Sequence, residues 1–252
     1  MKLLVVGAGE MGRWVADTVD AAVAFCDADS SVAADAAGPR EARQVSTDTD
    51  ESFDAVCLAV PMSTMTAAID QYAPLATEAI FDVSGVMAEP LEAMASAAPD
   101  LERASFHPLF APPRVPGNVA VVTANDGPRL ETIRKAMREA GNTVFETTAA
   151  EHDQAMETVQ ASAHTAVLAY ALAAESVREE FSTPVSAQLE AVAETVTEGD
   201  PGVYAEIQST FAGAEAVAEA ADQIAAAADE TFVDLYEQAK ANMDANSRER
   251  HQ

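Results

Sequence analysis

The chain has 252 residues, 49% of them hydrophobic, enough for one large domain or two modest ones with a sizeable core. Its 42 acidic against 14 basic residues give a formal net charge of −28, which argues against nucleic acid or an anionic membrane as a partner. No run of about 18 apolar residues appears, and the first residues read as a strand rather than a signal peptide, so a cytoplasmic address is expected.

Two regimes follow along the chain. Up to about Thr148, apolar strand-like runs alternate with helical stretches; from Glu151 to about Asp244 the sequence reads as alanine-rich helix. Strands are expected at 2–6, 22–26, 55–60, 79–83, 103–107, 119–122 and 142–146. A helix over 129–140 ends at Gly141, a suitable residue just past a helix C-terminus. Alternation of this kind predicts a mostly parallel sheet with helices on both faces. An all-helical domain then follows, with the boundary set between 148 and 149. Cys26 and Cys57 lie inside strand-like runs and read as buried free thiols, not metal ligands; no metal site is expected.

The first strand, Lys2-Leu3-Leu4-Val5-Val6, runs directly into Gly7-Ala8-Gly9-Glu10-Met11-Gly12 and then a helix over 13–19. G-x-G-x-x-G is weak alone, but strand before and helix after is the context that gives it meaning. Gly7 permits the turn, Gly9 lets a pyrophosphate approach the backbone, and Gly12 lets helix and strand pack closely. Glu10 and Met11 complete the loop, and the helix N-terminus presents free N–H groups to the phosphates. This is the dinucleotide-binding unit of a doubly wound α/β, or Rossmann, domain. The second strand ends at Asp27, placed about 20 residues on, where an acid bonds the adenosine ribose; Asp29 is a second candidate. No basic residue follows until Arg40, so NAD is expected over NADP. Val60 and Pro61, beyond the strand 55–60, line the cofactor's path. Ser84, just beyond the strand 79–83, is a site candidate or an ordinary turn serine.

His107 ends a strand on the same side. Histidine is the natural general base near neutral pH, although a structural histidine fits the same position. Asp153, Glu157, Gln160 and His164 are spaced four, three and four apart. At 100° per residue they form one stripe on a helix, facing either water or a wet cleft. His251 is read as idle.

These pieces resemble the prephenate dehydrogenases of tyrosine biosynthesis. The matching segments are Gly7–Gly12, Ala59-Val60-Pro61, Asp82-Val83-Ser84, Ser105-Phe106-His107-Pro108-Leu109-Phe110, Glu151-His152-Asp153-Gln154 and Asp200-Pro201-Gly202-Val203-Tyr204-Ala205-Glu206-Ile207. They occur in family order and span almost the whole chain. The resemblance implies a Rossmann domain and a helical dimerisation domain with the active site between them, hence a homodimer. It also implies NAD-dependent oxidative decarboxylation of prephenate to 4-hydroxyphenylpyruvate. By that match His107 is the base, and Ser84 orients it or the substrate hydroxyl. The match carries His152, Asp153, Gln160 and His164 to the nicotinamide and the substrate, with Asp153 on the cofactor.

Two departures stand out. The family has a serine where this chain has Gly85, so Ser84 sits one position early. The family also has a carboxylate-binding arginine five residues before the Asp-Pro pair, where this chain has Thr195; Arg114 is a candidate substitute. Arogenate, which carries an amine in place of the side-chain keto group, is an alternative substrate. A 3-hydroxyacid dehydrogenase would want a lysine on the helix 151–175, which has none. A non-catalytic NAD-binding sensor on the same scaffold is the non-enzymatic alternative. Lysine is confined to Lys2, Lys135 and Lys240, and the acid is spread over the whole chain. That habit suits a protein of a salt-rich, halophilic cytoplasm.

Overall fold

The structure, a computed structural model, describes residues 1–249. His251 lies outside the described residues. The chain divides into two units, Met1–Met156 and a second beginning at Glu157. The sequence reading puts the division at 148/149 instead. The first helix past that point belongs to the first unit, to which its His152 and Asp153 are hydrogen-bonded.

In the first unit the described residues form one eight-stranded sheet: β1 (Lys2–Val6), β2 (Ala22–Cys26), β3 (Arg43–Gln44), β4 (Phe53–Leu58), β5 (Ala76–Asp82), β6 (Glu102–Pro108), β7 (Asn118–Asn125) and β8 (Thr143–Glu146). The spatial order is β3-β2-β1-β4-β5-β6-β7-β8. The first six follow the Rossmann order, with its crossover beside β1. All pairs are parallel except β6 with β7. The central strands are buried on both faces, which explains why they read as continuous apolar runs and not alternating ones.

Strand alternation sorts the core into two layers. Leu3, Val5, Phe25, Cys57, Phe81 and Phe106 pack on one face, with Trp14 and Val15 of α1 (Glu10–Thr18), Ala33 of α2 (Ser30–Ala37) and Leu130, Ile133 and Met137 of α5 (Pro128–Glu139). Leu4, Val6, Val56, Leu58 and Ile80 pack on the other, with Met65 and Ile69 of α3 (Met65–Tyr72) and Met94 of α4 (Ala88–Ala97). Phe81 and Phe106 meet edge to face at 5.6 Å between centroids, a pair worth about 1 kcal/mol beyond the area it buries. Because Phe81, Ala104 and Phe106 face the first layer, Asp82, Ser105 and His107 face the second.

The first unit ends in α6 (Ala149–Met156). Residues 157–162 of the second unit form a π turn, with i→i+5 bonding. The helix expected over this region is therefore not α throughout, and the 100° spacing behind the 153/157/160/164 stripe does not hold across it. The π turn is seated on Gly213, where a Cβ would come within 2.2 Å of the Glu157 carbonyl oxygen. The second unit continues with α7 (Ala163–Ala173), α8 (Pro184–Thr197), α9 (Pro201–Thr210), α10 (Gly213–Ala226) and α11 (Asp229–Glu249). Thr183 and Asp200 cap α8 and α9 through their side chains. Among the described residues no helix is long and apolar enough to cross a membrane.

Candidate active site

The glycine loop is built as its sequence requires. Gly7 has φ +92°, and a Cβ there would lie 2.2 Å from the Ala59 carbonyl oxygen. A Cβ on Gly12 would lie 1.9 Å from the Gly7 carbonyl oxygen, so both positions are closed to any side chain. Gly9 differs: its φ is an ordinary −69°, and a Cβ there would meet nothing within 4 Å. Gly9 thus borders open space at the N-terminus of α1, where backbone N–H groups can face a phosphate. Glu10 and Met11 begin α1 directly behind it.

Asp27, just past β2, accepts from the Ala8 N–H at 2.8 Å and the Asp29 N–H at 2.9 Å. Its carboxylate is therefore tied to the loop. The Asp29 carboxylate instead caps α2 through Ser31. Arg13 on α1 donates to the Ala8 carbonyl at 2.8 Å and the Val32 carbonyl at 3.5 Å. Arg40 makes a two-pronged pair with Asp17, and Arg43 pairs with Glu51. Val60 and Pro61 follow β4 and lead into a short turn, Met62–Thr64.

His107 is 7% exposed and His152 is 3% exposed. His107 Nδ1 lies 2.8 Å from His152 Nε2, and His152 Nδ1 lies 2.7 Å from Asp153 Oδ1. The same Asp153 carboxylate accepts from the backbone N–H groups of Met87 at 3.0 Å and Ala88 at 3.1 Å, at the start of α4. Burial works to raise the Asp153 carboxyl; the His152 bond and the two backbone bonds outweigh it and hold it below the usual carboxylate range. Burial, with His152 beside it, pushes His107 down to about 3 against a smaller opposing pull from Asp153, so the ring is neutral at working pH. Its other nitrogen, Nε2, lies 3.8 Å from where a Cβ on Gly85 would stand, and Met62 Sδ lies 3.2 Å from the same point. Nε2 is thus placed beyond the carboxyl ends of β4 and β5, where open α/β sheets bind ligands.

Ser84 is buried, but its Oγ accepts from the Val86 N–H; among the described residues it makes no bond to His107. The residue next to Nε2 is Gly85. Beneath it, Asp82 is fully buried and accepts from the Ser84 N–H at 2.9 Å and the Ser105 hydroxyl at 3.0 Å. Burial overrides both bonds and raises its carboxyl to about 8. Arg114 is exposed on a short turn after β6. In the second unit, Gln160 lies half-buried in the π turn. His164 begins α7 and meets Tyr204 edge to face at 4.8 Å; burial lowers its pKa. Thr195 is half-buried on α8.

The structure therefore joins three residues that the sequence singles out separately: His107, His152 and Asp153. It adds Met62, Asp82 and the Met87 and Ala88 N–H groups, none of which the sequence reading picked as functional. An aspartate directly after a histidine is the one local signal that could have pointed to such a chain of bonds.

No protein-family model matches the chain. A 4-amino-4-deoxyprephenate dehydrogenase of Streptomyces pristinaespiralis is 31% identical over 189 residues, which are 66% of this chain and 60% of that protein. The chain thus spans about 60% of the length of that relative. Among solved structures, the Aquifex aeolicus prephenate dehydrogenase in complex with hydroxyphenyl propionate and NAD+ superposes with a TM-score of 0.70 at 16% identity, over 97% of this chain and 98% of that one. A Synechocystis arogenate dehydrogenase gives 0.62 at 16% identity, over 98% and 100%. At such identities the structures speak for fold. The chain has the fold of the prephenate and arogenate dehydrogenases of known structure, and its sequence is similar to that of a 4-amino-4-deoxyprephenate dehydrogenase.

Proposed function

We propose that this chain is an NAD-dependent dehydrogenase that converts prephenate to 4-hydroxyphenylpyruvate, with His107 as its general base. The observation that carries the reading is a neutral, buried His107 with Nε2 beyond the carboxyl ends of β4 and β5, in a sheet whose β1–α1 loop has the dinucleotide-binding form.

The residues present fit a dinucleotide. Open space at Gly9, bounded by Gly7 and Gly12, suits the pyrophosphate. Asp27 suits the ribose hydroxyls, and the acid at this position, with Arg13, Arg40 and Arg43 each bonded to other groups, favours NAD over NADP. Val60 and Pro61 border the same end of the sheet. When bound, NAD supplies the hydride acceptor.

The rest is done by the chain. His107 Nε2 accepts the proton of the ring hydroxyl and thereby pushes electrons toward the carbon that gives up hydride. The ring carboxylate departs as carbon dioxide, and its bonding pair completes the aromatic ring. The proton held on Nε2 returns to the phenolate oxygen, so none is consumed overall. Gln160, His164 and Arg114 stand as proposed substrate-binding residues, Arg114 in place of the arginine that Thr195 replaces. Ser84, whose hydroxyl is bonded to Val86, is proposed to act through the Ser84–Gly85 turn.

A second reading is an amine-bearing substrate. The 31%-identical relative carries 4-amino-4-deoxyprephenate in its name, and arogenate is in the name of a structural neighbour. The assay is NADH formation by purified protein in molar KCl with prephenate, arogenate or 4-amino-4-deoxyprephenate. Turnover of prephenate above the other two supports the first reading, and preference for either amine supports the second. NADH binding without turnover of any of the three would leave a sensor in place of an enzyme.

A homodimer built on the helical unit is proposed as well. In the single chain Leu172, Phe181, Val185 and Tyr236 are each more than 60% exposed, apolar side chains that a partner copy would cover. A salt-rich cytoplasm is the proposed setting.

A further inference from the structure

The bonds around His107 carry direction as well as distance. An ionised carboxylate only accepts hydrogen bonds, and Asp153 is held ionised by His152 and two backbone N–H groups. The proton in the 2.7 Å bond between Asp153 Oδ1 and His152 Nδ1 therefore belongs to the imidazole. With that proton alone on the ring, His152 carries a lone pair on Nε2. The 2.8 Å bond between that atom and His107 Nδ1 then requires the His107 proton on Nδ1. One tautomer of His107 remains, with its lone pair on Nε2, the atom beside Gly85 and Met62.

We propose that His152 carries only the Nδ1 proton and that His152 and Asp153 are positioning residues that fix the tautomer of His107 and so deliver its lone pair at Nε2. The origin of the order is backbone: the first N–H groups of α4 orient the Asp153 carboxylate, and each bond in turn dictates the next. This assigns His152 and Asp153 to the base, where the resemblance assigns them to substrate and cofactor. The catalytic half of the proposal rests on His107 being the base; the tautomer half does not. Each proton held by His107 Nε2 also places a positive charge one ring away from Asp153, which stabilises it without a second proton transfer.

Asp153→Asn is the informative variant. An amide offers N–H as well as C=O, so its side chain could donate to His152 Nδ1. That reverses every bond and puts the His107 proton on Nε2, where the base must be empty. The measurement is nitrogen NMR of the full-length protein with 15N-labelled histidine, assigned through the His107→Asn and His152→Asn variants. In the unsubstituted protein His107 is expected neutral, protonated on Nδ1, and His152 protonated on Nδ1. A His107 protonated on Nε2 would overturn the proposal, with no variant needed. In Asp153→Asn the Nε2-protonated form of His107 is expected to appear. Where the enzyme turns over, kcat is expected to fall roughly 10²- to 10⁴-fold with little change in KM for NAD. An Asp153→Asn spectrum identical to that of the parent, or a lost NAD affinity with kcat unchanged, would contradict the assignment. Absence of turnover with any substrate would refute the functional reading alone, because the spectra still decide the tautomer.

Discussion

Asp82 makes the sharpest demand on stability. It is fully buried, its Oδ1 takes both available donors, and among the described residues Oδ2 makes no hydrogen bond. With the native carboxyl raised to about 8, the folded chain holds a proton that the unfolded chain releases near pH 4. Stability from this group is complete below the unfolded pKa and is lost as pH rises through the native one. Over that window each pH unit costs about 1.4 kcal/mol, with a ceiling of roughly 6 kcal/mol across the whole span. Asp82→Asn removes the titration. The amide leaves a buried N–H without an acceptor, at a cost of about 1–3 kcal/mol, but that cost does not change with pH. The difference in slope is therefore clean: between about pH 5 and 7 the parent should lose about 1.4 kcal/mol per pH unit relative to the variant. Urea unfolding in molar KCl, followed through Trp14 fluorescence, measures it. Trp14 is the single tryptophan, lies in the first unit and packs edge to face on Phe110. Parallel stability–pH lines for the two proteins would refute a protonated Asp82.

Gly9→Ala should leave the Trp14 unfolding midpoint unchanged yet weaken NAD binding at least tenfold by titration, since a Cβ there meets open space. Gly12→Ala should instead cost about 3 kcal/mol of stability, the upper end of overpacking costs, because its Cβ would overlap the Gly7 carbonyl oxygen. In the helical unit, Gly213→Ala should lower the thermal midpoint and raise hydrogen exchange over 157–162, whose carbonyl it would strike; unchanged exchange would mean the π turn does not need this seat. With a net charge of −28, the unfolding midpoint should climb from dilute buffer to molar KCl as the screening length falls from about 30 to about 3 Å. Equal stability in both would remove the salt-adaptation reading.

The parts of the fold visible in sequence were those carried by local pattern. β1 and β2 were legible to the residue because short apolar runs meet glycine or aspartate at their ends. β3 was not: it is two exposed residues, Arg43 and Gln44, held only by pairing with β2. The π turn at 157–162 was hidden because an i→i+5 turn leaves no mark on apolar spacing. That is also why the polar stripe was drawn through it as if the helix were regular. His107, His152 and Asp153 each stand out in the sequence, but the bond between residues 45 apart depends on α6 lying beside the end of β6. Asp82 read as a strand end; its burial under Ser84 and Ser105 is a tertiary fact.

The central claim is that His107 does the proton chemistry of an NAD-dependent oxidation. Its direct measurement is the rate of NADH formation from prephenate and NAD+ by the parent chain and by His107→Asn, with NADH affinity measured on both. The account predicts equal NADH affinity and a kcat lower by roughly 10²- to 10⁴-fold in the variant. Near-normal turnover by His107→Asn would contradict it.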